Sequence, residues 1–209
     1  MKKTVLTGLI FIAVQLVNAQ IYAITSTGDE VILHENGTWG YLNDSTSQDG
    51  IIPINDREFL KDKKSTFLVK SKKLNVGIWI NPKSWGFRKG TENDAFEFQF
   101  QKKSGDLYAM LISEKMQIPI ENLKRIAIEN AKRAAPDINV IKEEYRNVNG
   151  IKVLMMQMSG TIQSMKFIYY GYYYSNPRGT IQLLAYTGES LFPEYQDDIE
   201  EFLNGLVEN

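Results

Sequence analysis

Val153-Leu154-Met155-Met156 and the run from Ile181 to Tyr186 are apolar on both of the faces a strand would show. Successive strand side chains point to opposite sides, so such runs need cover on both. The segment from Phe96 to Gln101 behaves differently, with Phe96, Phe98 and Phe100 alternating with Glu97, Gln99 and Gln101. That is the period of a strand with one wet face. Short turns, Asn149-Gly150 and Asn176-Pro177-Arg178-Gly179 among them, make the strands hairpin neighbours and hence antiparallel. The chain is therefore expected to be α+β, a largely antiparallel sheet with a helix on each face (an α/β/α sandwich).

The remaining pattern supplies the elements. Strand-like runs occur at Phe67 to Lys70 and Val76 to Asn81, with Pro82 to Gly86 as a turn, and then at Leu107 to Ser113. Later ones span Asn139 to Tyr145, Ile151 to Ser159, Lys166 to Tyr174 and Thr180 to Thr187. Residues 119–134 read as a helix, with Pro119 suited to its first turn and Ile120, Leu123, Ala127 and Ala131 on one face. A second helix is expected from Pro193 to Val207, with Ile199, Phe202, Leu206 and Val207 in its apolar stripe.

The N-terminal part is organised separately. Lys2 and Lys3, an apolar run from Val5 to Val17 and the closing Val17-Asn18-Ala19 predict a signal peptide over 1–19. Cleavage is expected between Ala19 and Gln20, giving a periplasmic or secreted product with no stable membrane insertion. The run is short and broken by Thr7, Gly8 and Gln15, unlike a mature spanning helix. No Cys follows it to carry a lipid. Residues 20–42 read as a small β-hairpin unit turning at Asn36-Gly37, residues 43–58 as a polar linker, and 59–209 as the sandwich domain.

Several chemistries are excluded. Without Cys there is no disulfide, thiolate nucleophile or cysteine-ligated metal. With 24 basic against 25 acidic side chains, the chain has no concentrated positive charge to suit nucleic acid. His34 is the sole histidine, and no Gly-x-Ser-x-Gly elbow accompanies it. Asp197, Asp198, Glu200 and Glu201 suit a solvated helix face better than a cation loop. No metal site and no cofactor is expected. Asp44-Ser45-Thr46 resembles an O-glycosylation signal at Ser45 in the exposed linker.

One cluster stands out, Tyr169, Tyr170, Tyr172, Tyr173 and Tyr174. On a strand, Tyr170, Tyr172 and Tyr174 share one face, with Tyr169 and Tyr173 on the other. The stripe suits a ligand-binding groove for a glycan or peptide, or sheet core with hydroxyls reaching its edge.

Ile78-x-Ile80-Asn81-Pro82-x-x-Trp85, the order of elements and the closing helix after Tyr186 resemble the PsbP-like superfamily over roughly residues 66–207. That group holds thylakoid-lumen photosystem subunits, bacterial envelope proteins and a small-GTPase-binding branch. The resemblance implies a non-enzymatic accessory role and brings no site residue with it. The expected function is thus an exported accessory or binding protein of the bacterial envelope, its partner an envelope protein or a glycan. The alternatives are a periplasmic hydrolase with an unrecognised site, or a structural subunit pairing through its N-terminal strands.

Overall fold

A computed structural model describes residues 21–25, 30–33, 39–41, 52–92 and 94–209. The first half contains β1 (Ile21–Ile24), β2 (Glu30–Leu33), β3 (Trp39–Tyr41), β4 (Ile54–Phe59), β5 (Phe67–Lys70), β6 (Val76–Ile80), β7 (Trp85–Lys89), β8 (Phe98–Lys102) and β9 (Tyr108–Glu114). Then come α1 (Ile120–Ala134), β10 (Asn139–Val148), β11 (Ile151–Ile162), β12 (Met165–Asn176), β13 (Gly179–Gly188), a 3-10 turn at Glu189–Leu191, α2 (Phe192–Leu203) and β14 (Leu206–Glu208).

The chain is α+β. Its main sheet has eight strands in the order β4-β10-β11-β12-β13-β9-β8-β7, and all neighbours are antiparallel except β4 beside β10. Two small antiparallel sheets, β1-β2-β3 and β14-β6-β5, accompany it. The long central strands are joined by tight turns. Asn149 and Gly150 both take positive φ (49° and 87°), the geometry of a two-residue hairpin turn that an Asn-Gly pair adopts readily.

Alternate residues of β11 enter two separate apolar clusters. Val153 and Met155 pack with Tyr170, Tyr172, Leu183 and Phe100, and with Ile199, Phe202 and Leu203 of α2 and Ile78 and Ile80 of β6. Leu154 and Met156 pack instead with Tyr173 and with Leu123 and Ala127 of α1. Alternate side chains of the doubly apolar strand thus share clusters with different helices. α2 shares its side with the small sheet, so that cover is broad.

Four local expectations are corrected. Residues 54–58, assigned to the linker, belong to edge strand β4, whose Ile54 and Phe59 register with Tyr145 and Val148 of β10. Their four polar central residues hide a strand that has one edge free. The turn expected over Pro82 to Gly86 ends sooner, and Trp85 begins β7 against Lys102. The strand expected over Val76 to Asn81 stops at Ile80 and pairs in the small sheet. Finally, α2 stops at Leu203. Gly205 turns the chain so that its carbonyl accepts from the Trp79 amide (2.8 Å), and Leu206 pairs with Ile78 as β14 instead of continuing the helix.

Candidate functional site

The sequence-flagged tyrosines fall in different places. Tyr170 and Tyr172 are 2% and 0% exposed beneath α2, so core packing, and not a groove, is their setting. Both rings surround Arg146, itself 3% exposed. Its Nη2 donates to the Tyr170 hydroxyl (2.8 Å), its Nη1 to that of Tyr172 (3.1 Å), and its Nε to Glu144 Oε1 (2.6 Å). The hydroxyls pass the network on to α2 and the turn after it: Tyr170 donates to Glu200 Oε1 (3.2 Å) and Tyr172 to Asn204 Oδ1 (2.7 Å). The guanidinium also lies 4.2 Å from the Phe59 ring centroid, below β4.

Electrostatics here follow from burial and partners. Burial pushes the Tyr172 hydroxyl up to about 12, against the opposing pull of Arg146. Tyr170 is raised for the same reason. Burial would also raise Glu144, but hydrogen bonds from Asn55 and Arg146 outweigh it and hold the carboxyl below its usual range. A buried charge of this kind persists only when every partner is present. The network is buried at Arg146 and partly exposed at Glu200, and it ties α2 and β4 to the sheet. Sequence reasoning missed Glu144 and Arg146, whose period-two spacing with apolar Val148 on one face of β10 was the available signal.

Tyr174 stands apart. It is half-buried, donates to Glu208 (2.6 Å) and lines a cleft of about 500 Å³ with Tyr145, Lys152, Glu121 and Glu208. Ala19, Gln20, His34 and Ser45 lie outside the described residues.

The feature most like a binding site is on the side of the sheet opposite α2, where the cluster under α1 extends as far as Leu184 of β13. On β9 the buried Ala109, Leu111 and Ser113 alternate with half-buried Tyr108, Met110 and Ile112. On β13 the buried Leu183 and Ala185 alternate with half-buried Gln182, Leu184 and Tyr186. The sequence anticipated cover on both sides of Ile181 to Tyr186; the far side is only half covered.

Strand register assembles a row across this open face. Gly86 pairs with Gln101, Gln101 with Tyr108, Tyr108 with Tyr186, and Tyr186 with Tyr169. Tyr108 and Tyr186 stack at 5.7 Å and 21°, and Tyr169 follows at 5.8 Å and 37°. None of these three hydroxyls bonds to another described residue. Burial raises Tyr169, and Tyr186 beside it adds to the effect.

Two clefts meet at Tyr108. One, about 430 Å³, is lined by Gly86, Arg88, Gln99, Gln101 and Lys103; the other, about 580 Å³, by Met165, Phe167, Thr187, Gly188 and Leu191. Each has a glycine in its lining with room above it. A Cβ at Gly86 or at Gly188 would meet nothing nearer than 4.0 Å. Among the described residues no group of His, Cys, Asp and Glu is placed to hold a metal, and no helix is long and apolar enough to cross a membrane.

The chain has a PsbP-like fold. Its structure is similar to that of cyanobacterial PsbP (CyanoP) from Synechocystis sp. PCC 6803, with TM-score 0.52 and 11% identity over 79% of this chain and 98% of that one. Two further solved structures match at 11% identity, each over 68% of this chain. They are PA94 of Pseudomonas aeruginosa, a protein of unknown function (TM-score 0.44, 96% of that chain), and LpqN of Mycobacterium tuberculosis, involved in cell envelope biogenesis (TM-score 0.46, 88% of that chain). No family model and no curated protein matches the sequence.

Proposed function

We propose that this chain is an exported, non-enzymatic accessory protein of the bacterial envelope that binds a partner on the open face of its main sheet. The observation carrying the proposal is the tyrosine row between two clefts, with three half-buried rings whose hydroxyls make no bond to another described residue. Aromatic side chains with a free polar tip supply contact area at little cost in conformational entropy, which suits recognition. The polar constellation that could have suggested catalysis, around Arg146, is shut away from any substrate. Export rests on the n-region, the apolar run and Val17-Asn18-Ala19.

A photo-crosslinking amino acid placed at Tyr186, with one at exposed Lys132 on α1 as control, tests the face in cells. A discrete adduct from position 186 and none from 132 is expected. Equal labelling from both, or none from 186, would remove the open face as the binding surface. Intact mass of the envelope fraction tests export, with a chain beginning at Gln20 expected.

A further inference from the structure

The open face also specifies what chemistry it would accept, an inference that rests on the binding role just argued. We propose that its ligand is an extended peptide segment laid across the strands, with an acidic residue at the β7–β8 end and an aromatic or aliphatic residue at the β12 end.

The two ends differ in charge. The cleft over β7 and β8 has Arg88 and Lys103 in its lining and no carboxylate. Lys103 Nζ donates only to the Pro82 carbonyl (2.7 Å) and has no carboxylate partner among the described residues. Arg88 is shared between Gln99 (2.7 Å) and a loose contact with Asp94 at 3.6 Å. Both cations therefore have coordination to spare for an anionic group. At the other end, Met165 is 57% exposed beside Phe167 and Leu191, Lys166 in the same lining is paired with Glu189 (3.6 Å), and Asp106 at the rim repels a second acid. This asymmetry sets the polarity of the bound segment.

Length follows from the sheet. From β7 to β12 along the row there are four strand spacings, about 19 Å, which an extended segment crosses with about six residues. The backbone of that segment meets the amides of Gln99 and Gln101 and the hydroxyls of Tyr108, Tyr186 and Tyr169, a mixture of donors and acceptors. The ring arrangement favours a peptide over a glycan. With Tyr108 and Tyr186 stacked, their flat faces are turned to each other and edges point outward, whereas a sugar would need a ring face to lie on.

The test uses the full chain and a displayed library of random peptides about seven residues long, matched to the span above. Enrichment of sequences with Asp or Glu near one end and an apolar side chain near the other is expected. The best peptide, labelled and titrated by fluorescence anisotropy, should bind at least about tenfold more weakly to Gly86→Leu and to Gly188→Leu, each of which fills one cleft. Both variants should melt like the parent. Arg88→Gln combined with Lys103→Gln should weaken binding by a similar factor and flatten its salt dependence. Enrichment of neutral or basic peptides that the glycine variants still exclude would overturn the acidic assignment while leaving the face as the binding surface. Peptides indifferent to both glycine variants would overturn both. Failure to enrich any peptide would overturn the proposal, and neutral oligosaccharides whose binding Tyr186→Ala abolishes would then make the face a glycan platform.

Discussion

On β12, Tyr170 and Tyr172 face α2, whereas Tyr169, their immediate neighbour, faces the open side. The first two are interior, and each hydroxyl both accepts from Arg146 and donates onward to the α2 segment. Tyr169 with Tyr186 and Tyr108 offers the same chemical groups with no such bonds. Residue type is constant between the two rows; only the cover differs. A polar atom under α2 must be paired because burial makes an unpaired one costly, and that requirement couples each residue to several others. On the open face water can satisfy the hydroxyls, so each ring is free to change partner.

The sharpest way to break this contrast is at its buried centre. Arg146→Leu removes the buried cation that Glu144 and two tyrosine hydroxyls accept from, and should destabilise the fold by about 3–5 kcal/mol in urea unfolding. Tyr172→Ala should cost about as much, through the cavity and the lost contacts. A variant of either kind that unfolds at the parental urea concentration would show that the network is not what secures α2.

Next in size is an alkaline effect. Tyr172 has its folded pKa raised to about 12 from an ordinary value of 10, so its contribution is complete below pH 10 and is lost as pH rises towards 12. The loss from this residue should be on the order of 2 kcal/mol. Tyr172→Phe should flatten that limb while lowering stability at neutral pH by about 1–2 kcal/mol, since Asn204 then lacks its donor. An unchanged alkaline limb in the phenylalanine variant would assign the effect to other groups.

The smallest expected change sharpens the contrast from the other side. Tyr186→Ala removes a half-buried ring and should cost about 1 kcal/mol or less, with the melt otherwise unaltered. A loss as large as that of Tyr172→Ala would mean that the open row is core after all.

The sequence displayed the central sheet and both helices because their patterns are local. Asn149-Gly150 fixes a hairpin by its own backbone preference, and Leu123 and Ala127 mark the buried side of α1 by spacing alone. What escaped depends on distant partners. β4 is four polar residues between two apolar ones and becomes a strand only because β10 lies beside it. Leu206 and Val207 continue the α2 stripe in periodicity, yet they pair with Ile78 and Gly77. The doubly apolar Ile181 to Tyr186 run correctly signals a strand within the sheet, but apolarity cannot distinguish a face hidden by a helix from one left half covered. Tyr108 and Tyr169 meet Tyr186 only through register across three strands.

The pairing of β14 with β6 has a kinetic consequence. Val76 to Ile80 finds one neighbour early, in β5, but its other edge stays bare until Leu206 to Glu208 has emerged and looped back. β4 likewise waits for β10, and that register joins Ile54 to Tyr145. Closing such long loops costs entropy before any contact rewards it, so folding is slow relative to a bundle of similar size. During that delay the chain has unpaired strand edges, each a template on which a second unfolded copy could pair before these late closures cover it.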